Sequence, residues 1–209
     1  MNNRRLGKLI TLEGPEGAGK STQCAALVQW LCEAGYNPVV TREPGGTELG
    51  GRVRQILLEA GTDIAARAEI LLYAADRAQH VEKLIAPALE KGQIVVCDRY
   101  FDSTMAYQGY ARGLGMEFVE QVNKLSVGKV VPDLTLLYDI PVAEGMARKA
   151  TRELDRIEQE ALEFHQRVRE GYLLIAEKEP TRVRIINAMQ DINTVTAESI
   201  QAVKALLKG

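Results

Sequence analysis

The sequence has little from which to build a disulfide framework: its 209 residues hold three cysteines, an odd set without a C-x-x-C pair. Cys24 and Cys32 fall on an expected helix and Cys97 ends an apolar strand, so buried free thiols in a reducing compartment are expected. Charge of one sign is not in excess either, with 26 basic and 28 acidic side chains. No global positive field draws the chain to nucleic acid or anionic lipid, and any anion must be held locally. No apolar run approaches a membrane span. The start Met1-Asn2-Asn3-Arg4-Arg5 leads into a strand without the apolar core of a signal peptide. Internal repeats and low-complexity linkers are missing. These absences leave a soluble cytoplasmic protein, residues 1–209 forming one domain large enough to bury its own core.

What is present is alternation. Short apolar runs rich in β-branched residues at 8–13, 38–42, 93–97, 133–140 and 182–187 read as strands. Their near-continuous apolar character suits a parallel sheet covered on both faces. Helical periodicity fills the intervals 21–34, 47–59, 65–90, 116–127, 142–149, 157–177 and 196–207, with Pro87 in or ending the last turn of the third. Strand–helix alternation predicts an α/β fold, a doubly wound parallel sheet flanked by helices. Glycine clusters at 14–19, 45–51 and 109–115, marking tight turns or close ligand approach.

The first cluster, Gly14-Pro15-Glu16-Gly17-Ala18-Gly19-Lys20-Ser21, fits G-x-x-x-x-G-K-[ST], following one expected strand and opening a helix. Glycines let successive backbone N–H groups curl around a phosphate, and the helix N-terminus adds its positive dipole end. Lys20 reaches the β- and γ-phosphates in such a loop, and the Ser21 hydroxyl ligates Mg²⁺. The competing reading is an ordinary glycine-rich turn. With glycine near 7% of average composition, chance occurrence in a chain this long is on the order of one per cent. Asp98, at the carboxyl end of an expected core strand, lies where α/β sheets hold ligands and could orient the metal or its water shell. An Asp-Arg pair alone is more often a structural ion pair; beside a phosphate loop the balance reverses.

Phosphate loops also serve switches and motors. A GTPase switch should carry D-x-x-G and N-K-x-D. No aspartate has glycine three residues on, and Asn123-Lys124-Leu125-Ser126 ends in serine. A motor needs a further module, for which the chain leaves little length. A kinase for a small phosphorylated acceptor must instead neutralise two phosphate groups and keep water from the γ-phosphoryl. Arg42, Arg54, Arg77 and Arg99 lie near strand ends or beside the glycine loops, and Arg148, Lys149, Arg152 and Arg156 crowd a flap at about 145–157. The alternative for that second group is a solvated helix face paired with Glu153, Glu158 and Glu160.

Residues 13–22, Thr41-Arg42-Glu43-Pro44-Gly45-Gly46-Thr47, Asp98-Arg99-Tyr100, Ala106-Tyr107-Gln108-Gly109 and Leu154-Asp155-Arg156 occur in the order found in thymidylate kinases, and nearly the whole chain resembles that family. It resembles the bacterial form: Gly17 stands where the eukaryotic form has an arginine. The resemblance implies a Mg²⁺-dependent transfer of the ATP γ-phosphoryl to dTMP. It implies ATP binding by Gly14, Pro15, Glu16, Gly17, Ala18, Gly19, Lys20, Ser21 and Thr22. Glu16 corresponds to the carboxylate on the sugar 3′-hydroxyl, Tyr73 to the ring stacked on thymine, and Arg77 to a donor to a base carbonyl. Their i, i+4 spacing puts Tyr73 and Arg77 on one helix face, although Leu71, Leu72 and Ala74 also suit Tyr73 to core packing. Thr104 and Gln108, with Ser103 beside them, line the base edge, and Tyr107 occupies the space of a ribose 2′-hydroxyl. Arg99 contacts the acceptor phosphate, with Arg42, Glu43 and Arg54 completing that site. The resemblance also implies a homodimer, for which 65–78 or 116–127 could supply an apolar stripe.

The lid departs from its relatives. They often read R-x-R-G-x-L-D-R, whereas this chain has Arg148-Lys149-Ala150-Thr151-Arg152-Glu153-Leu154-Asp155-Arg156. The candidates for the catalytic lid cation are therefore Arg148, Lys149 and Arg152, with Arg156 open to a structural pairing with Glu160. Adenine contacts are sought at Arg152 and the 187–190 turn. His80 and His165 match no motif.

Overall fold

The computed structural model describes residues 7–148 and 155–208. Lys149, Thr151 and Arg152, expected in a lid, lie outside the described residues. Five strands form one parallel sheet: β1 (Lys8–Glu13), β2 (Val39–Arg42), β3 (Ile94–Asp98), β4 (Leu134–Asp139) and β5 (Val183–Asn187), in the order β2-β3-β1-β4-β5. All five coincide with the β-branched apolar runs to within one or two residues at each end.

Period-two alternation distributes the strand side chains between two helical layers. Ile10, Leu12, Val96, Leu136 and Tyr138 face one way, packing with α1 (Lys20–Glu33) and α9 (Ile192–Lys208). Leu9, Val95 and Cys97 face the other, under a long helical rod and α6 (Met116–Val127). Leu137 and Val183 meet α8 (Leu162–Lys178) on that second side. Covering both faces explains why the strands are almost wholly apolar. The exceptions on the second face, Glu13, Thr11 and Thr135, are buried, and the two threonines bond each other at 2.8 Å.

The helices follow local chemistry. Thr47 caps α2 (Glu48–Leu58), its hydroxyl accepting from Gly50 N at 3.0 Å. The helix expected at 65–90 is a rod in three pieces: α3 (Ala66–His80), a π-helical turn (Val81–Ile85) and α4 (Ala86–Glu90). Proline lacks an N–H and its ring crowds the carbonyl four residues back. The wider turn, in which Ala86 N–H reaches Val81 O, lets the rod continue through Pro87. After β3 the chain forms α5 (Phe101–Thr104) and a second π-helical run (Met105–Ala111), neither of which the periodicity predicted.

Two expected starts are corrected. The helix placed at 157–177 begins at Leu162, because Asp155 and Glu158 close a reciprocal turn. Asp155 Oδ1 accepts from Ile157 N and Glu158 N, both at 3.0 Å, while Glu158 Oε2 accepts from Asp155 N at 3.1 Å. The last helix begins at Ile192 rather than 196, since Asp191 accepts from Thr194 N at 3.0 Å. The helix of 142–149 is α7 (Val142–Ala147). Cys24 and Cys97 are buried free thiols as expected, whereas Cys32 is exposed. Among the described residues no helix is long and apolar enough to cross a membrane.

Candidate active site

The glycine-rich loop leaves the carboxyl end of β1, the middle strand of the sheet, where an α/β fold holds its ligand. At Gly17, φ is +73° and an added Cβ would lie 1.9 Å from Gly145 O, so only glycine lets the loop pack on α7, backbone to backbone. Gly14 and Pro15 form the buried base of the loop, and their carbonyls accept from Lys20 Nζ at 2.9 and 2.8 Å. Lys20 is thereby held at the loop rather than in bulk water. Residues 16–22 line a cleft of about 820 Å³, within the range of small-ligand sites.

The opposite wall comes from three other segments. Arg99, just past β3, has φ +69°, left-handed backbone that costs a non-glycine residue about 1–3 kcal/mol. Its Nη1 donates to Tyr172 OH at 3.1 Å, and to Ser103 Oγ and Gly14 O at 3.3 Å; its Nη2 pairs with Glu16. Glu16 Oε1 also accepts from Tyr107 OH at 2.9 Å, and Arg99 lies 5.2 Å from the centre of the Tyr107 ring. Burial opposes the Arg99 charge, but Glu16 and neighbouring oxygens more than compensate and hold its pKa well above the ordinary arginine value.

Beneath this group sits Glu13, fully buried. Its oxygens accept from Tyr100 N at 2.7 Å, Ser103 Oγ at 2.6 Å and Tyr172 OH at 2.8 Å. Burial, then the charge of Asp102, raises its pKa to about 7. Arg54 lines the cleft and donates to Pro44 O at 3.0 Å. Burial and the like charge of Arg42 push its pKa down, as expected where cations are crowded together. Arg42 lines the cleft from the end of β2.

The residues that the resemblance assigns to the base fall on α3, on α5 and on the second π-helical run. Tyr73, Thr104, Tyr107 and Gln108 all line the cleft. Tyr73 is half-buried rather than a core residue. Arg77 is only 1% exposed and spends three N–H groups within the protein, on Glu43 Oε2 at 2.7 Å, Asn123 Oδ1 at 3.0 Å and Tyr100 O at 3.2 Å. Arg77 also borders the cleft. Glu43, assigned from sequence to the acceptor-phosphate set, is buried between Arg77 and His80 and braces them. His80 has partners the sequence did not disclose: Nδ1 meets Glu43 Oε1 at 2.9 Å and Nε2 meets Thr41 Oγ1 at 2.7 Å.

Asp98 Oδ1 is buried at the end of β3 without a hydrogen-bond partner among the described residues, and Asp98 borders the cleft that also holds Ser21. Mg²⁺ takes hard oxygen ligands and is commonly held by one or two carboxylates plus substrate phosphates. An orphaned carboxylate oxygen and a P-loop hydroxyl fit that demand.

Just past α7, Arg148 donates to Ala188 O at 3.2 Å and Gly17 O at 3.4 Å, joining the loop to the 187–190 turn. Ala188 and Gln190 of that turn border the cleft. Arg156 does not pair with Glu160. Its Nη2 meets Glu69 and its Nε donates to Leu57 O at 2.7 Å, while Glu160 pairs with Arg112 at 2.6 Å. Sequence reasoning missed Glu13, Glu69 and Tyr172. For Glu69 a signal existed: it precedes Tyr73 and Arg77 at four-residue spacing on one helix face.

A phosphate loop on the central strand, with an arginine-lined pocket across one cleft, defines a P-loop phosphotransferase of the nucleoside monophosphate kinase type. The family model described as thymidylate kinase matches residues 12–199. A thymidylate kinase from Desulfovibrio desulfuricans is 48% identical over 208 residues, covering 95% of this chain and 96% of that protein. One from Synechococcus sp. is 55% identical over 179 residues, covering 86% of this chain and 85% of its own. The crystal structure of thymidylate kinase from Ehrlichia chaffeensis superposes with a TM-score of 0.80 at 37% identity, covering 95% of this chain and 98% of that one. The chain belongs to the thymidylate kinase family.

Proposed function

We infer that this cleft transfers the γ-phosphoryl of ATP in line to the 5′-phosphate of dTMP, giving dTDP and ADP for DNA precursor synthesis. The observation that carries the reading is that Lys20 and the crowded cations Arg42, Arg54 and Arg99 share one cleft with the Tyr73 and Gln108 wall. The acceptor is already a dianion near neutral pH, so positioning and charge neutralisation do most of the work and no covalent intermediate is needed. The P-loop amides and Lys20 hold the donor phosphates. Arg99, with Arg42 and Arg54 beside it, receives the acceptor phosphate, where a planar fork matches phosphate oxygens better than a point charge. Glu16 takes the sugar 3′-hydroxyl, and the Tyr107 ring crowds C2′. Ser21 and Asp98 would hold Mg²⁺, which would neutralise the charge that develops on the transferring phosphoryl group. We assign residues 1–209 to one domain with a lid near 145–157, in the cytoplasm, where thiols such as Cys24 and Cys97 stay reduced.

Coupled ADP release with and without acceptor tests the assignment. ADP should appear with dTMP and ATP, more slowly with dUMP, and far more slowly with UMP. A thymine methyl is worth roughly 1 kcal/mol, whereas a ring filling the 2′ position excludes ribose sterically. Equal use of UMP and dTMP would remove Tyr107 from its assigned role.

A further inference from the structure

Glu69 stands on α3 one turn before Tyr73 and is wholly buried. A buried carboxylate is costly unless both oxygens are satisfied, and here each is satisfied twice. Oε1 accepts from Gln108 Nε2 at 2.8 Å and Arg112 Nε at 3.0 Å. Oε2 accepts from Arg112 Nη2 at 3.2 Å and from Arg156 Nη2. Burial pushes its pKa up, but the bonds from Arg112, Gln108 and Arg156 outweigh burial and leave it below the ordinary carboxylate value. Glu69 is therefore ionised at neutral pH, and an ionised carboxylate only accepts.

That restriction passes to Gln108. A glutamine amide is nearly symmetrical in shape, and its other partners decide which end faces a ligand. With Glu69 as acceptor, the Gln108 NH₂ must turn toward it and the carbonyl Oε1 away. Gln108 borders the cleft beside Tyr73, Arg77 and Thr104. We propose that Glu69 is a positioning residue that fixes the Gln108 amide so that the cleft presents a carbonyl acceptor to the base, selecting pyrimidines with N–H at ring nitrogen 3 over cytosine. The proposal rests on the dTMP reading of the cleft and deepens it. Thymine and uracil donate at N3, whereas cytosine carries a lone pair there that would face the Gln108 oxygen unpaired. The same carboxylate gathers Arg112, bonded onward to Glu160, and Arg156, so 155–160 is pinned to the helix that carries Tyr73. Two cations balance two anions, and the network buries no net charge.

The test compares kcat/KM for dTMP, dUMP and dCMP in the unmodified protein, Glu69→Gln, Gln108→Met and the double variant. Glutamine at 69 keeps the shape but offers donor and acceptor alike, so the Gln108 amide can turn either way. The dTMP:dCMP ratio should fall at least about tenfold in Glu69→Gln, while dTMP:dUMP holds because both bases donate at N3. Gln108→Met should lose the same preference, and adding Glu69→Gln should change the ratio no further. A merely structural Glu69 would lower all three rates by one factor and leave dTMP:dCMP intact, which overturns the proposal. Should Glu69→Gln fail to fold, Gln108→Met decides alone: an unchanged dTMP:dCMP ratio overturns the proposal. Loss of dTMP-dependent turnover in the unmodified protein would instead refute the reading of the cleft itself.

Discussion

Glu13 joins the sheet to the cleft, since one carboxylate receives the Tyr100 backbone and the Ser103 and Tyr172 hydroxyls that flank Arg99. Its folded pKa, about 7, lies above the ordinary 4.5. The folded state thus binds more protons than the unfolded chain between those values. A raised folded pKa contributes stability that is full below about pH 4.5 and lost as pH rises through about 7. Asp76, raised to about 6 chiefly by burial and then by Glu43, acts in the same direction over a lower window. Unfolding free energy should therefore fall from pH 5 to 7 by up to about 1.4 kcal/mol per unit from Glu13 alone. Glu13→Gln, whose neutral amide keeps the shape and has NH₂ donors for the two hydroxyls where a protonated carboxyl has one O–H, should flatten that slope in denaturant titrations. An unchanged slope would show that Glu13 does not titrate with folding.

Among the elements, the stretch after α7 is where variants should separate structural from catalytic cations. Arg156 is held by Glu69 and the Leu57 carbonyl, so Arg156→Ala should lower the melting temperature more than it alters chemistry. A cation that meets the phosphoryl group only in the transition state lowers kcat far more than it raises KM. Alanine at Arg148, Lys149 and Arg152 should produce one variant reduced about 10³-fold or more in kcat with nearly unchanged KM. If all three stay within about threefold of the parent, the transferring charge is met by Lys20 and Arg99 alone. What the sequence disclosed at this scale follows from the range of the forces involved. Strands were legible because a sheet covered on both faces demands continuous apolar runs, and the P-loop because its backbone demands glycine at fixed spacing. The run at 101–111 was not legible: a four-residue α-helix passes into π-helical turns, and its polar members Ser103 and Gln108 bond carboxylates 90 and 39 residues away. The start of α8 was misplaced for a local reason, the Asp155–Glu158 turn, which competes with a helix whose apolar period already begins at Ile157.

For the whole molecule, α3 and α6 pack together yet leave Leu71, Phe118 and Leu125 exposed at 59%, 42% and 86%. Apolar side chains left on one pair of helices favour a second copy of the chain as their cover. Sedimentation should give twice the monomer mass, and Leu125→Glu should shift it toward the monomer; a monomeric parent protein would refute the dimer. The sheet, the loop on its central strand and the cation cluster matter together because the proposed transfer needs two nucleotides end to end in one cleft. The direct measurement is transfer of label from [γ-³²P]ATP. Labelled dTDP should form in step with ADP in the presence of dTMP, and Lys20→Ala should abolish it while the fold persists. Release of labelled inorganic phosphate without labelled dTDP, or full transfer by Lys20→Ala, would contradict the account.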